Sequence, residues 1–211
     1  MKPNKTTARY TIEDIEPAAS VLKKGGMVAL PTETVYGLAV DAEDGVAVQM
    51  VYDIKDRDYE KPVSVMVTDM KMAEKYCQNI PQAAYRLAEK YWPGPLTIIL
   101  EDNGVMPLMV TAETGTLGIR CPDHPVTQKV IQAVGSPLAA PSANPSSLPS
   151  PKTAQEVLNY FDGYIEGVLD GGPCALGVDS TIVDLTEEEP QILREGSIPG
   201  AEILAFLKEM A

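Results

Sequence analysis

Val134-Gly135-Ser136-Pro137-Leu138-Ala139-Ala140-Pro141-Ser142-Ala143-Asn144-Pro145-Ser146 runs from a helix end, through a short apolar stretch, into a loop of small polar residues and prolines. Gly135 can close the helical pattern of Pro125–Val134 because glycine adopts the left-handed turn at no steric cost. Pro137–Ala140 is short and apolar, as a buried strand is. Pro141–Ser146 then ends that strand in hydroxyls, an amide and rigid prolines, a socket that a ligand can approach closely. The same residue types are ordinary turn formers, so the loop alone does not establish a site.

The same alternation recurs along the chain. Pro17–Lys24 reads as a helix closed by Gly25-Gly26 and followed by a strand over Met27–Leu30. Val46, Met50, Val51 and Ile54 have helical spacing with Asp44 at the N-cap, and Val63–Val67 is the next strand. Pro81–Trp92 places Ala84, Leu87, Ala88 and Tyr91 on one helical face, before a strand over Leu96–Leu100. Thr153-Ala154-Gln155-Glu156 is a capping box that opens a helix through Phe161, and Ser180–Leu185 and Gln191–Arg194 read as closing strands. This order predicts an α/β fold: a twisted, mixed sheet flanked by helices, with a concave ligand cleft at the strand ends. With 211 residues, 45% of them hydrophobic, the chain is expected to form a single domain over residues 1–211.

A formal net charge of -13 repels polyanions at long range and disfavours direct tRNA or other nucleic-acid binding, which rests on phosphate neutralisation. Cys77, Cys121 and Cys174 are odd in number and widely spaced, which suggests neither a disulfide framework nor a zinc site. Met1–Tyr10 is charged with no apolar segment behind it, and no apolar run approaches a membrane span. A soluble cytoplasmic protein is expected.

Lys55, Arg57, Lys61, Arg120 and Arg194 are drawn from only 17 basic residues in the chain. Each stands where a strand or helix meets a loop rich in hydroxyls and glycines. Taken alone, Lys55-Asp56-Arg57-Asp58 is a self-compensating surface run. Five cations so placed, with Ser and Thr beside them, point instead to an anionic ligand such as a phosphate or carboxylate. The one histidine, His124, sits in an Asp-His-Pro turn and is expected to cap the turn or pair with Asp123 rather than act as a base. No P-loop, Rossmann fingerprint or nucleophile elbow is present.

Pro31-Thr32-Glu33-Thr34-Val35-Tyr36-Gly37-Leu38, Lys55-x-Arg57, Lys61-Pro62, Trp92-Pro93-Gly94-Pro95-Leu96-Thr97, Gly118-Ile119-Arg120-x-Pro122-x-His124-Pro125, Ala140-Pro141-Ser142-Ala143-Asn144, Asp170-Gly171-Gly172-Pro173 and Asp179-Ser180-Thr181-Ile182-Val183 follow one another in this order. That ordered set resembles the YrdC domain of threonylcarbamoyl-AMP synthases, from about Gly26 to Ile198. The resemblance implies a YrdC-like fold and an L-threonylcarbamoyladenylate synthase. Such an enzyme is a nucleotidyltransferase joining L-threonine, bicarbonate and ATP, with Mg²⁺ on the phosphates. Its product serves a separate transferase complex that makes N6-threonylcarbamoyladenosine at position 37 of tRNA.

Carried over by position, the resemblance implies that Arg57, Lys61, Thr116, Ser142, Asn144, Ser150 and Arg194 contact ATP. It implies that Thr34, Arg120, Ala140 through its backbone and Ser180 hold L-threonine. It implies no acid–base catalyst and no protein-held metal; Lys55, Arg57 and Asn144 would act by positioning. The chain departs from the pattern at Met66, where some members carry histidine. It is expected to be a short form, without the C-terminal domain of the long form. Two other classes stay open: an RNA-binding or ribosome-maturation module, and a paralogous nucleotide hydrolase.

Overall fold

The computed structural model describes residues 6–209, so Met1–Lys5 and the chain end at Ala211 lie outside the described residues. The strands are β1 (Ala8–Tyr10), β2 (Val28–Leu30), β3 (Gly37–Asp41), β4 (Val65–Met66), β5 (Cys77–Gln78), β6 (Leu96–Asp102), β7 (Thr116–Arg120), β8 (Leu138–Ala139), β9 (Gly167–Leu169), β10 (Thr181–Asp184) and β11 (Gln191–Arg194). The helices are α1 (Ile15–Leu22), α2 (Gly45–Lys55), α3 (Met70–Ala73), α4 (Gln82–Tyr91), α5 (Leu108–Thr111), α6 (Pro125–Val134), α7 (Ala154–Phe161) and α8 (Gly200–Lys208).

The strands lie in the order β1-β9-β2-β3-β8-β4-β7-β6-β10-β11, with β5 paired to β6. Pairing is mixed: β9 is parallel to β2, β4 to β7 and β6 to β10, while β2–β3, β3–β8, β4–β8, β6–β7 and β10–β11 are antiparallel. This agrees with the mixed α/β expectation.

Successive strand residues point to opposite faces, and here both faces are buried. Ala29, Leu38 and Val40 join one large core with Val48 and Val51 of α2, Leu87 of α4 and Val157 of α7. Their neighbours Val28, Leu30 and Ala39 join a second core with Ala18 and Leu22 of α1 and Val130 and Ile131 of α6. Helices therefore sheathe both sides, and the strands read as apolar runs rather than alternations. Ile98 of β6 stands opposite Ile119 of β7, both fully buried.

The helix ends follow the expected chemistry. The Asp44 carboxylate accepts from the amides of Val46 and Ala47. Thr153 Oγ1 accepts from the Glu156 amide at 3.2 Å, but the Glu156 carboxylate reaches back to Lys152 N at 2.6 Å, one residue earlier than a capping box requires. Gly135 closes α6 at φ 90°.

Five strands, β1, β3, β5, β7 and β9, lie outside the strands that the sequence predicts, and β3 and β7 border the site. Pro31–Leu38 carries no strand assignment in the sequence, yet from Gly37 the chain folds back as β3 against β2. Thr116–Arg120 is likewise a strand, with Leu117 and Ile119 inward and Thr116, Gly118 and Arg120 on the more open face.

Candidate functional site

The ends of β4, β6, β7, β8 and β10 open into a cleft with a cavity volume of about 170 Å³, whose walls include Thr32, Arg57, Ser64, Met66, Thr97, Arg120, Ala140, Ser142, Asp179, Ser180 and Arg194. A second hollow of about 370 Å³ is lined by Lys55, Asp56, Arg57, Asp58, Lys61, Ser142, Asn144, Ser146 and Ser147. Arg57 and Ser142 belong to both, so the two spaces meet at these side chains. Of the expected site residues, Arg57, Arg120, Ala140, Ser142, Ser180 and Arg194 converge on the first space, and Lys55, Lys61 and Asn144 on the second.

Backbone bonding fixes the Pro141–Ser146 loop. Ala140 N donates to Ser64 O at 3.1 Å, Leu38 N to Pro141 O at 2.8 Å and Ala143 N to Tyr36 O at 2.8 Å. Lys55, 2% exposed, then donates from Nζ to both Ser142 O and Asn144 O. Its own carbonyl accepts from Ser146 N at 2.7 Å. Lys55 is therefore a staple for the loop, with its ammonium turned to protein carbonyls. Burial pushes its pKa down to about 7, the Arg57 charge adds to the drop, and Asp179 opposes it. Asn144 Nδ2 donates to Pro145 O and Leu148 O, at 3.1 and 2.6 Å. Its Oδ1 is buried with no partner among the described residues.

Asp56 ends α2 in the left-handed conformation, φ 50°, which an aspartate tolerates better than most side chains. Arg57 folds back after it, donating from Nε to Lys61 O at 3.2 Å and from Nη2 to Pro62 O at 2.8 Å. The Tyr52 hydroxyl donates to the same Lys61 carbonyl at 2.8 Å. The Arg57–Pro62 loop is thereby closed, with an exposed Lys61 side chain at its tip.

Arg120 is held from several sides. Its Nε donates to Gly94 O at 3.2 Å, and Nη2 lies 3.4 Å from Thr32 Oγ1 and 2.7 Å from Glu33 Oε1. The other Glu33 oxygen accepts from Asp123 N at 3.0 Å. Sequence reasoning assigned Glu33 no role; its one signal was a lone carboxylate inside a segment otherwise made of apolar and hydroxyl residues. Thr34 does not reach the cleft. It is fully buried, its hydroxyl 2.8 Å from that of Thr32, and Thr32 is the member of the pair on the cleft wall.

On the opposite wall, Arg194 donates from Nε to Ser180 O and from Nη2 to Ser180 Oγ, both at 2.9 Å. Ser180 Oγ is 2.8 Å from the Thr97 hydroxyl. Ser150 stands behind the wall, its Oγ 3.4 Å from the Asp179 carboxylate. Thr116 lies at the far end of β7 from Arg120, opposite Glu101 in register, and its hydroxyl pairs with that of Thr114 at 2.9 Å. Neither Ser150 nor Thr116 lines the two spaces.

His124 departs from its expectation. It occupies the N-cap position of α6 without a side-chain cap, and its Nδ1 is buried with no partner among the described residues. Burial lowers its pKa, against the opposing pull of Glu33 and Asp123. Among the described residues no group of three or more His, Cys, Asp or Glu is placed to hold a metal ion, and no helix is long and apolar enough to cross a membrane.

Comparison with known proteins gives the same answer as the motifs. The Sua5/YciO/YrdC family model, described as "Telomere recombination", matches residues 20–196. The threonylcarbamoyl-AMP synthase of Pyrococcus abyssi (strain GE5 / Orsay) is 40% identical over 204 residues, which cover 96% of this chain and 60% of that protein. A putative threonylcarbamoyl-AMP synthase of Mycobacterium leprae (strain TN) is 35% identical over 193 residues, 92% of this chain and 87% of the relative. The crystal structure of P. abyssi Sua5 complexed with L-threonine superposes with a TM-score of 0.93 at 38% identity, covering 97% of this chain and 62% of that one. The chain thus spans 60% or less of the length of the first curated relatives it matches. On the family model and these identities, the chain belongs to the Sua5/YciO/YrdC family.

Proposed function

We propose that this protein is an L-threonylcarbamoyladenylate synthase, making threonylcarbamoyl-AMP and pyrophosphate from L-threonine, bicarbonate and ATP for tRNA modification by a separate transferase complex. The observation that carries this reading is the convergence of Arg57, Arg120 and Arg194 on one cleft, in a chain whose net charge is -13. Named relatives are threonylcarbamoyl-AMP synthases, and one neighbouring structure is titled as a complex with L-threonine. The cytoplasm is the proposed setting.

In this reading Arg120 receives the threonine carboxylate, because a guanidinium edge matches a carboxylate and its mount on Gly94 and Glu33 fixes the angle. Ser180 and the Ala140 backbone line the same space and meet the amine and hydroxyl. The polyphosphate lies toward Arg57, Lys61, Ser142 and Arg194, where the cations are. Asn144 Oδ1, an unpartnered buried acceptor, suits a donor on the ligand. Thr34, Thr116 and Ser150 would join only through Thr32, through a longer reach along β7 and through Asp179 respectively. The donor set does not form a resident metal cage; Mg²⁺ would arrive on the triphosphate as part of the substrate.

The chemistry then asks the chain for placement and charge. The threonine nitrogen forms a bond to the bicarbonate carbon and water leaves, giving a carbamate. A carbamate oxygen bonds to the α-phosphorus as the bond to the β-phosphate bridging oxygen breaks, and pyrophosphate departs with those electrons. Aligned reactants can lower the barrier by about 7–11 kcal/mol, and fixed guanidinium groups stabilise the charge that grows on the leaving group. The test is mass spectrometry of the product formed from ATP, threonine and labelled bicarbonate. Label in a threonylcarbamoyl adenylate supports the reading; pyrophosphate or phosphate release that needs neither threonine nor bicarbonate overturns it.

A further inference from the structure

We propose that Glu33 is a positioning residue for substrate carboxylate recognition, acting through Arg120; the proposal rests on the synthase reading and deepens it. Glu33 is only 8% exposed, and a buried carboxylate persists only where its charge is met. One oxygen makes the ion pair with Arg120 without hydrogen-bond geometry, and the other is hydrogen-bonded. Oε1 lies 2.7 Å from Arg120 Nη2, and Oε2 accepts from the Asp123 amide at 3.0 Å. Its backbone oxygen also accepts from Leu176 N at 2.8 Å. One residue therefore ties the turn after β2, the segment after β7 and the loop before β10 around one guanidinium.

The consequence for Arg120 is geometric. A guanidinium has five donors in a rigid plane. Gly94 O takes the Nε side, and Glu33 with Thr32 takes Nη2. That leaves Nη1, which none of these three touches, on a side chain that lines the cleft. Without Glu33 the side chain would keep its charge but could swing about its long stem, and a carboxylate would have to order it on binding. The partial neutralisation by Glu33 also sets the pocket against a second negative group, which favours a zwitterionic amino acid over a dicarboxylate. Glu33 itself does not line the cleft, so its effect on substrate passes through Arg120.

The experiment is a double-mutant cycle with Glu33→Gln and Arg120→Lys, read by calorimetric titration of L-threonine in the presence of ATP and by steady-state kinetics. Glutamine keeps an acceptor for the Asp123 amide while removing the charge facing Arg120. The expected result is an approximately tenfold weaker threonine Kd and a matching rise in its KM, with kcat and the KM for ATP nearly unchanged. In the Arg120→Lys background the same substitution should add little, because the guanidinium it serves is gone. Full additivity, no change in threonine affinity, or parallel losses for threonine and ATP would overturn the proposal. Should Glu33→Gln not fold, Glu33→Asp keeps the charge on a shorter arm and must show the same selective loss. Wild-type protein that binds no threonine would sink the synthase reading and this inference together; wild-type binding with an unaffected variant would sink only the inference.

Discussion

Arg194 Nη2 lies 2.9 Å from Ser180 Oγ, and that hydroxyl is 2.8 Å from Thr97 Oγ1, so a serine buried in the wall joins β11 to β6 through side chains. Replacing Ser180 by alanine strands the Thr97 hydroxyl, which is 2% exposed, and removes one of the two bonds that Arg194 makes to this residue, the Nε bond to the Ser180 carbonyl remaining. A stability loss of about 1–3 kcal/mol is expected for the unsatisfied buried hydroxyl. Denaturant unfolding measures it, and catalytic efficiency should fall at least tenfold with both threonine and ATP as the varied substrate.

Arg57→Ala removes a cation shared by the two spaces and opens the Arg57–Pro62 loop, whereas Lys61→Ala removes an exposed charge alone. Arg57→Ala should lower ATP-dependent pyrophosphate formation by about a hundredfold or more, and Lys61→Ala by about tenfold, on the scale of lost charge-assisted bonds. Circular dichroism and thermal melting should show both variants folded. Wild-type turnover in either would remove that residue from the nucleotide side.

Lys55 gives stability a pH dependence of defined sign. Its ammonium has an ordinary pKa of 10.5, against about 7 in the folded protein. Between those values the unfolded chain holds more protons, so stability rises with pH. The contribution is complete above the ordinary value and is lost as pH falls through about 7. Cys77, whose thiol burial raises above its usual 9.0, works the other way only at higher pH. From pH 7 to 9 the wild type should therefore gain up to about 1 kcal/mol per pH unit in urea titrations, and Lys55→Met should show a flatter profile.

Ile98→Ala in β6 should cost about 2–5 kcal/mol, because the vacated volume faces the fully buried Ile119 across the ladder and lies under covering helices. Chemical denaturation checks this. The cleft residues belong to strand ends, so threonine affinity in the folded fraction should change little.

The apolar strands and their helices were legible because both sheet faces are covered: Val28, Ala29 and Leu30 had to be apolar throughout, whichever way each pointed. Gly37–Asp41 was harder, since it returns along β2 directly after a turn of buried threonines that reads as loop. Thr116–Arg120 carried a period-two signal in Leu117 and Ile119, obscured by Gly118 and by the polar residues at its ends. Arg57, Arg120, Ser142, Ser180 and Arg194 were readable as a set because cations beside hydroxyls are conspicuous in an acidic chain. The Lys55 staple was not, since its acceptors are backbone carbonyls, which every residue possesses. Nor did the sequence distinguish Thr32 from Thr34; which one faces the cleft depends on how the turn between β2 and β3 is wound.

Arg57 and Ser142 are walls common to two hollows, and shared walls make the occupants of those hollows thermodynamically linked. A molecule seated in either one touches side chains that also bound its neighbour. Whatever factor the first guest applies to the affinity of the second, the second must apply to the first. Titrations run in opposite orders of addition should close the same cycle.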